Sequence, residues 1–230
     1  MLVSNTTHPF WFVFFALGLS LVPILIGLTT SYLKVSIVLG MLRSGLGTQQ
    51  VPSNMVVMAL SLVVTIFVMG PVLKESLTNI SKENVNFDTA PGVKDIAVLS
   101  TALTPWSDFI KKHAGKEEVK SLTALKIARE KISTQVEVPF GPVESDKPLE
   151  PDMTVLLASF MITELKEAFS MGFVLLLPFL VIDLIVSNLL VGMGMFMVSP
   201  AMITLPLKLM LFIVCDGWML LTKGLVMSYV

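Results

Sequence analysis

The sequence predicts an all-α, membrane-type fold: four long apolar helices arranged as two hairpins, with a small polar helical insert between the pairs. Three observations predict it. Hydrophobic residues make up 54% of the 230 and charged residues 14%, with a mean hydropathy of +0.82, against the roughly 25% charge of an ordinary soluble domain. Of the 33 Asp, Glu, Lys and Arg residues, 24 fall between Lys74 and Asp152, so the polarity is confined to one block. The flanking blocks contain uncharged runs, Pro9 to Leu33 and Val51 to Leu73, each meeting the roughly 20 residues that a bilayer span needs.

Residues 1–73 read as the first helix pair. The N-terminal apolar stretch has no Lys or Arg before it and no small-x-small pattern behind it, so a retained first span is expected. Pro23 and Pro71 are expected to bend or end their helices. The intervening segment 34–50 carries Lys34 and Arg43 without an acid. It is expected as a loop on the cytoplasmic side, which puts the N-terminus in the periplasm. Gly45-Leu46-Gly47 reads as a tight turn within it.

Residues 74–152 form the insert, expected in the periplasm; above about 60 residues, its basic residues do not oppose translocation. Apolar residues recur at three- and four-residue spacing in Lys94 to His113 (Ile96, Leu99, Leu103, Trp106, Ile110) and in Glu117 to Ser133 (Val119, Leu122, Leu125, Ile132). Two amphipathic helices are predicted, with Gly115 between them. The Pro-rich stretch Val138 to Pro151 reads as an extended linker. Residues 153–230 then supply the second helix pair, joined by a Gly- and Met-rich hairpin over 192–200. Four crossings return the C-terminus to the periplasm.

Net charge −1 offers no basic field for nucleic acid. Two histidines, His8 and His113, and one cysteine, Cys215, are too few for metal or acid–base work. No nucleophile, zinc or nucleotide motif appears. No catalytic residue, metal or cofactor is therefore expected, and no intrachain disulfide is possible. The sequons at Asn5 and Asn79 carry weight only in a eukaryotic secretory context.

Eight ionisable residues within or beside the apolar helices are the informative signal, because charge in hydrocarbon requires a partner or a wet cavity. They are Lys34, Arg43, Glu164, Lys166, Glu167, Asp183, Lys208 and Asp216. At 100° per residue, Lys208, Cys215, Asp216 and Lys223 share an arc of about 100° on one helix face. Lys208 is expected to pair with Glu164 or Asp183 across a helix or subunit contact, and Asp216 belongs to the same set of inter-helix or inter-subunit charges. Glu164, Lys166 and Glu167 can alternatively sit at the membrane surface. The run Met195-Phe196-Met197, following Met193, has two readings: core or lipid packing, or a flexible apolar gasket that closes around variable peptide.

The blocks Thr29-Thr30-Ser31-Tyr32-Leu33-Lys34, Leu46-Gly47-Thr48-Gln49-Gln50-Val51-Pro52, Phe160-Met161-Ile162-Thr163-Glu164-Leu165, Leu177-Pro178-Phe179-Leu180-Val181-Ile182-Asp183, Gly194-Met195-Phe196-Met197-Val198-Ser199-Pro200, Leu205-Pro206-Leu207-Lys208 and Asp216-Gly217-Trp218 occur in that order. Through them the chain resembles the FliP/SctR family of type III secretion export-apparatus membrane proteins. The resemblance covers both apolar halves; the insert carries no family motif. It implies a pentamer that assembles with two small membrane proteins of the FliQ/SctS and FliR/SctT type, beside a switch protein and an export-gate ring. The assembly forms a pore in the inner membrane for unfolded secretion substrates. The family's gasket falls on Met195, Phe196 and Met197, with Phe in the middle in this chain. In such assemblies, helices that look transmembrane bury against neighbouring subunits. Flagellar members tend to carry a cleavable leader, so a virulence injectisome is the expected setting. One rival function is a secondary transporter that uses Asp183, Lys208 and Asp216 as a proton relay, but it lacks internal repeats. A membrane-embedded enzyme lacks a clustered nucleophile or metal set.

Overall fold

The computed structural model describes residues 9–47, 52–82, 93–133 and 152–229. Among them the chain is all-helical: α1 (Pro9–Thr29), α2 (Tyr32–Leu46), α3 (Asn54–Lys82), α4 (Val93–His113), α5 (Lys116–Ser133), α6 (Met153–Gly192), α7 (Pro200–Val214) and α8 (Gly217–Met227). Asn54–Ser81 and Met153–Gly192 are each long and apolar enough to cross a membrane; Ala16–Thr29 with Tyr32–Leu46, and α7 with α8, qualify only as pairs bent by 80° and 63°. The protein is thus a membrane-type helical protein with two to four candidate spans.

The first break is not where proline predicts it. Pro23 lies inside α1 and Pro71 inside α3. α1 instead ends at two threonines whose hydroxyls turn back onto helix carbonyls: Thr29 Oγ1 donates to Leu25 O at 2.7 Å, and Thr30 Oγ1 donates to Ile26 O. The same Thr30 hydroxyl accepts the Tyr32 amide at 3.2 Å. Side-chain bonds of this kind compete with the helical ladder and let the chain turn without exposing unpaired backbone.

The segment 34–50, expected as a loop, is helical as far as Leu46 and is the most buried stretch among the described residues. Val35, Val38, Leu39, Leu42 and Leu46 form one buried stripe along α2, the i, i+3, i+4, i+7 pattern of a core-facing helix. They pack with Val64 of α3, Ala168 and Phe179 of α6, Phe212 of α7, and Leu221 and Leu225 of α8. α2 and α6 approach so closely that a Cβ on Gly45 would lie 2.5 Å from the Leu176 side chain, and one on Gly172 would lie 2.3 Å from the Met41 sulfur. Each helix thus contributes one glycine to the crossing.

The two insert helices stand close to their predicted ranges, although Leu103 and Leu125, expected on the apolar faces, are exposed. The Pro-rich stretch 138–151 lies outside the described residues. Residues Lys74 to Lys82, assigned to the insert, continue α3. Phe109 and Ile110 of α4, with Ala114 just after it, join Met69, Leu156, Phe160 and Tyr229 in a second core. Lys166 of α6 ties Glu118 of α5 at 2.6 Å, and Lys126 of α5 ties Asp152 at 2.7 Å. The Lys166 hydrogen bond holds the Glu118 carboxyl below its usual range, and the Lys126 bond does the same for Asp152. Both ties are present when the acids are ionised and weaken as pH falls through the lowered values; being exposed, they contribute little.

Trp106 of α4 reaches back to the first break, its indole Nε1 donating to Thr29 O at 2.8 Å. Replacing it with Phe keeps the aromatic body but leaves that carbonyl unpaired. Trp106→Phe is therefore expected to cost about 1–3 kcal/mol and to speed proteolysis between α3 and α6, compared with wild type in the same detergent.

The final apolar run, expected as one helix, is two. α7 ends at Cys215, and Asp216 takes a left-handed conformation (φ 48°, ψ 49°) before α8. Asp tolerates this region better than most non-glycine residues, so the 63° bend is set by one residue.

Candidate functional site

Two ion clusters sit at opposite ends of α2. At its first turn, Lys34 is fully buried, with Nζ 2.6 Å from Glu167 and 3.3 Å from Glu164 of α6. Its ammonium also lies 4.1 Å from the centre of the Tyr229 ring, within cation–π range, while the Tyr229 hydroxyl donates to Glu164. Glu164 is as buried as Lys34, at 1% side-chain exposure each. Phe109 stacks on Tyr229 at 6.0 Å and the His113 ring lies 5.3 Å away, so the last turn of α4 closes the cluster. Four segments, α2, α4, α6 and the residues after α8, thus meet around one buried cation.

At the far end of α2, Lys208 of α7 lies 2.7 Å from Asp183 of α6 and donates to Gly45 O at 3.0 Å. Lys208 is buried, and the Asp183 side chain is 40% exposed. A helix ending in the interior leaves carbonyls without an intrahelical partner, and here a lysine from another helix supplies the donor.

Of the residues singled out by sequence, Lys208 and Asp183 come together, whereas Glu164 meets Lys34 and Tyr229 instead of Lys208. Asp216 is exposed at the α7–α8 bend and makes no ion pair among the described residues. Arg43 donates to Asn54 at the start of α3. Tyr229 was not singled out, and Gly45 and Trp106 were read only as part of a tight turn and as an apolar helix position. A lone tyrosine, a backbone carbonyl and an insert tryptophan give no local pattern that announces a partner far away in sequence.

The hairpin between α6 and α7 is a closed turn with an apolar outside. Gly194 adopts φ 73°, and the Met195 amide donates to Leu190 O at 2.9 Å. Met195, Phe196 and Met197 are 48%, 78% and 101% exposed. Connecting loops are ordinarily polar; this one presents Met193, Met195, Phe196, Met197 and Val198, with Ser199 its single polar side chain. Large apolar residues are likewise exposed along α1, α3, α6, α7 and α8, among them Leu17, Phe67, Phe173, Leu184 and Met219. Surface of that extent belongs against lipid or other subunits.

Apolar outer faces, charges paired inside and a helix pair broken at a single aspartate define an integral membrane protein that completes its packing with its surroundings. Comparison with known proteins makes the family specific. The FliP family profile matches residues 15–225. The chain is 36% identical over 214 residues to the surface presentation of antigens protein SpaP of Salmonella typhimurium, covering 91% of this chain and 92% of that one. It is 36% identical over 217 residues to the hypersensitivity response secretion protein HrcR of Ralstonia nicotianae, covering 93% and 94%. It is 37% identical over 212 residues to the Yop proteins translocation protein R of Yersinia pestis, covering 92% of each. The chain belongs to the FliP family, the export-apparatus family whose motifs it carries.

Proposed function

We propose that this chain is a pore-forming core subunit of a type III secretion export gate, providing the entrance portal for unfolded protein substrates through the bacterial inner membrane. The observation that carries the reading is the exposed Met195-Phe196-Met197 tip. Such a tip is costly in water and unspecific in shape, which suits a ring of several copies that seals around any passing chain and closes when none passes. The exposed apolar faces of the long helices support assembly with further copies, five in the expected ring, and with two small export-apparatus membrane proteins. A switch protein and an export-gate ring lie alongside. The names of the relatives, a secretion protein and a translocation protein, support the same placement, and the virulence setting of those relatives favours an injectisome over a flagellum. The subunit itself performs no catalysis in this reading; energy comes from other parts of the machine.

Polar replacement of the tip tests the seal. In cells carrying the assembled machine, Met195→Ser with Met197→Ser is expected to raise inner-membrane ion leakage several-fold while secretion persists. An unchanged leak with normal assembly removes the gasket role.

A further inference from the structure

The turn between α6 and α7 concentrates one reactive atom type. Met193, Met195, Met197 and Met202 fall within ten residues, and all four are exposed. The backbone that carries the tip is uncrowded: a Cβ added to Gly192 or Gly194 would meet nothing within 4 Å. Elsewhere the sulfurs are better covered. Met69 is buried in the second core, and Met171 packs against the first. Met58, Met210 and Met219 are exposed, but on helix faces, where extended apolar surface belongs against lipid or other subunits. The tip differs from these faces, because residues that seal an aqueous passage are the ones that dissolved molecules reach.

We infer that Met195 and Met197 are an oxidation site, at which a peroxide-class oxidant converts the two thioethers to sulfoxides and opens the seal to water and ions. The sulfur attacks one peroxide oxygen, so that an S–O bond forms and the O–O bond breaks. Sulfur loses two electrons, and the second oxygen gains them and leaves as water with both hydrogens. The product replaces a flexible apolar side chain by a polar one, which disrupts a contact made by methionine alone. Met195, Phe196 and Met197 carry no side-chain donor, so the new S=O oxygen can be satisfied only by drawing water into the closed tip. The inference rests on the export-gate reading and adds to it a chemical control of the same site.

The test uses membranes carrying the assembled machine in a Cys215→Ser background, which removes the exposed thiol as a second target. Graded hydrogen peroxide is added, ion leakage is read, and the peptides of the same sample are weighed. Met195 and Met197 are expected to gain one oxygen each before Met210 and Met219 do, while Met69 gains none. Leakage is expected to rise several-fold in step with the two tip sulfoxides. In Met195→Leu with Met197→Leu, which lacks both sulfurs, leakage with peroxide is expected to equal that variant's own leakage without it. Flat leakage with both sulfurs oxidised overturns the inference, as does a rise that precedes their oxidation or persists in the double leucine variant. Tip sulfurs left intact at doses that oxidise Met210 or Met219 overturn it as well. The serine pair of the preceding test separates the two readings. If that pair leaks and the oxidised wild type does not, this inference alone fails; if the serine pair assembles and does not leak, the gasket reading beneath it fails too.

Discussion

Lys34→Met is expected to be among the most damaging single substitutions in this chain, lowering stability by about 3–5 kcal/mol, the usual cost of removing one partner from a buried ion pair. The reason is Glu164. With Lys34 gone, its carboxylate keeps the Tyr229 hydroxyl but loses the ammonium at 3.3 Å, inside a part of the fold that water does not reach. Glu167 suffers less, because its side chain is 47% exposed. The double variant Lys34→Met with Glu164→Gln is therefore expected to recover much of the loss, since a neutral amide still accepts from Tyr229 and leaves no lone charge. Thermal unfolding of the detergent-solubilised complex, read beside its yield, checks both. A single variant as stable as wild type contradicts a buried Lys34.

Lys208→Met is expected to cost about 2–3 kcal/mol, most of it from the Gly45 carbonyl left without a donor. Asp183 adds less, because it is partly exposed and its attraction is screened. The charge swap Lys208→Asp with Asp183→Lys separates the two contributions. It restores an ion pair between α6 and α7, but the new lysine starts from α6, while Gly45 O is served from α7 in the native arrangement. Partial rescue is the expected result, measured as assembly yield and thermal midpoint of the swap against each single variant. Full rescue assigns the whole effect to the ion pair, and no effect of Lys208→Met contradicts its burial.

The sequence showed its helices best where periodicity is local. α4 and α5 were legible from three- and four-residue spacing, and α6 from the return of apolar residues at Met153. The bends were not legible. Pro23 and Pro71 were expected to bend or end their helices, yet neither ends one, and Pro105, Pro178 and Pro206 also lie inside helices. In apolar surroundings, neighbouring helices and hydroxyl side chains take up the freed backbone groups. The actual bends use threonine hydroxyls at residues 29 and 30 and the left-handed Asp216, both of which look unremarkable in a linear reading. α2 carried the buried stripe Val35, Val38, Leu39, Leu42 and Leu46 in plain view, but Lys34 and Arg43 gave the segment the look of a loop. A lysine in a buried stripe announces a partner, and the partner is an acid pair about 130 residues away.

The candidate site was half legible for the same reason. That intramembrane charges must find partners follows from solvation alone, and Lys208 with Asp183 was one of two pairings it suggested. Which acid meets which base depends on helix crossings. The α2–α6 approach through Gly45 and Gly172 and the folding back of Tyr229 onto Glu164 exist only in three dimensions.

The most direct test of the central claim is the native mass of the complex purified in mild detergent through a tag on this chain, with its co-purifying proteins identified. A ring of five copies carrying two small hydrophobic membrane proteins is the expected result. A monomer or dimer without partners contradicts the export-gate account.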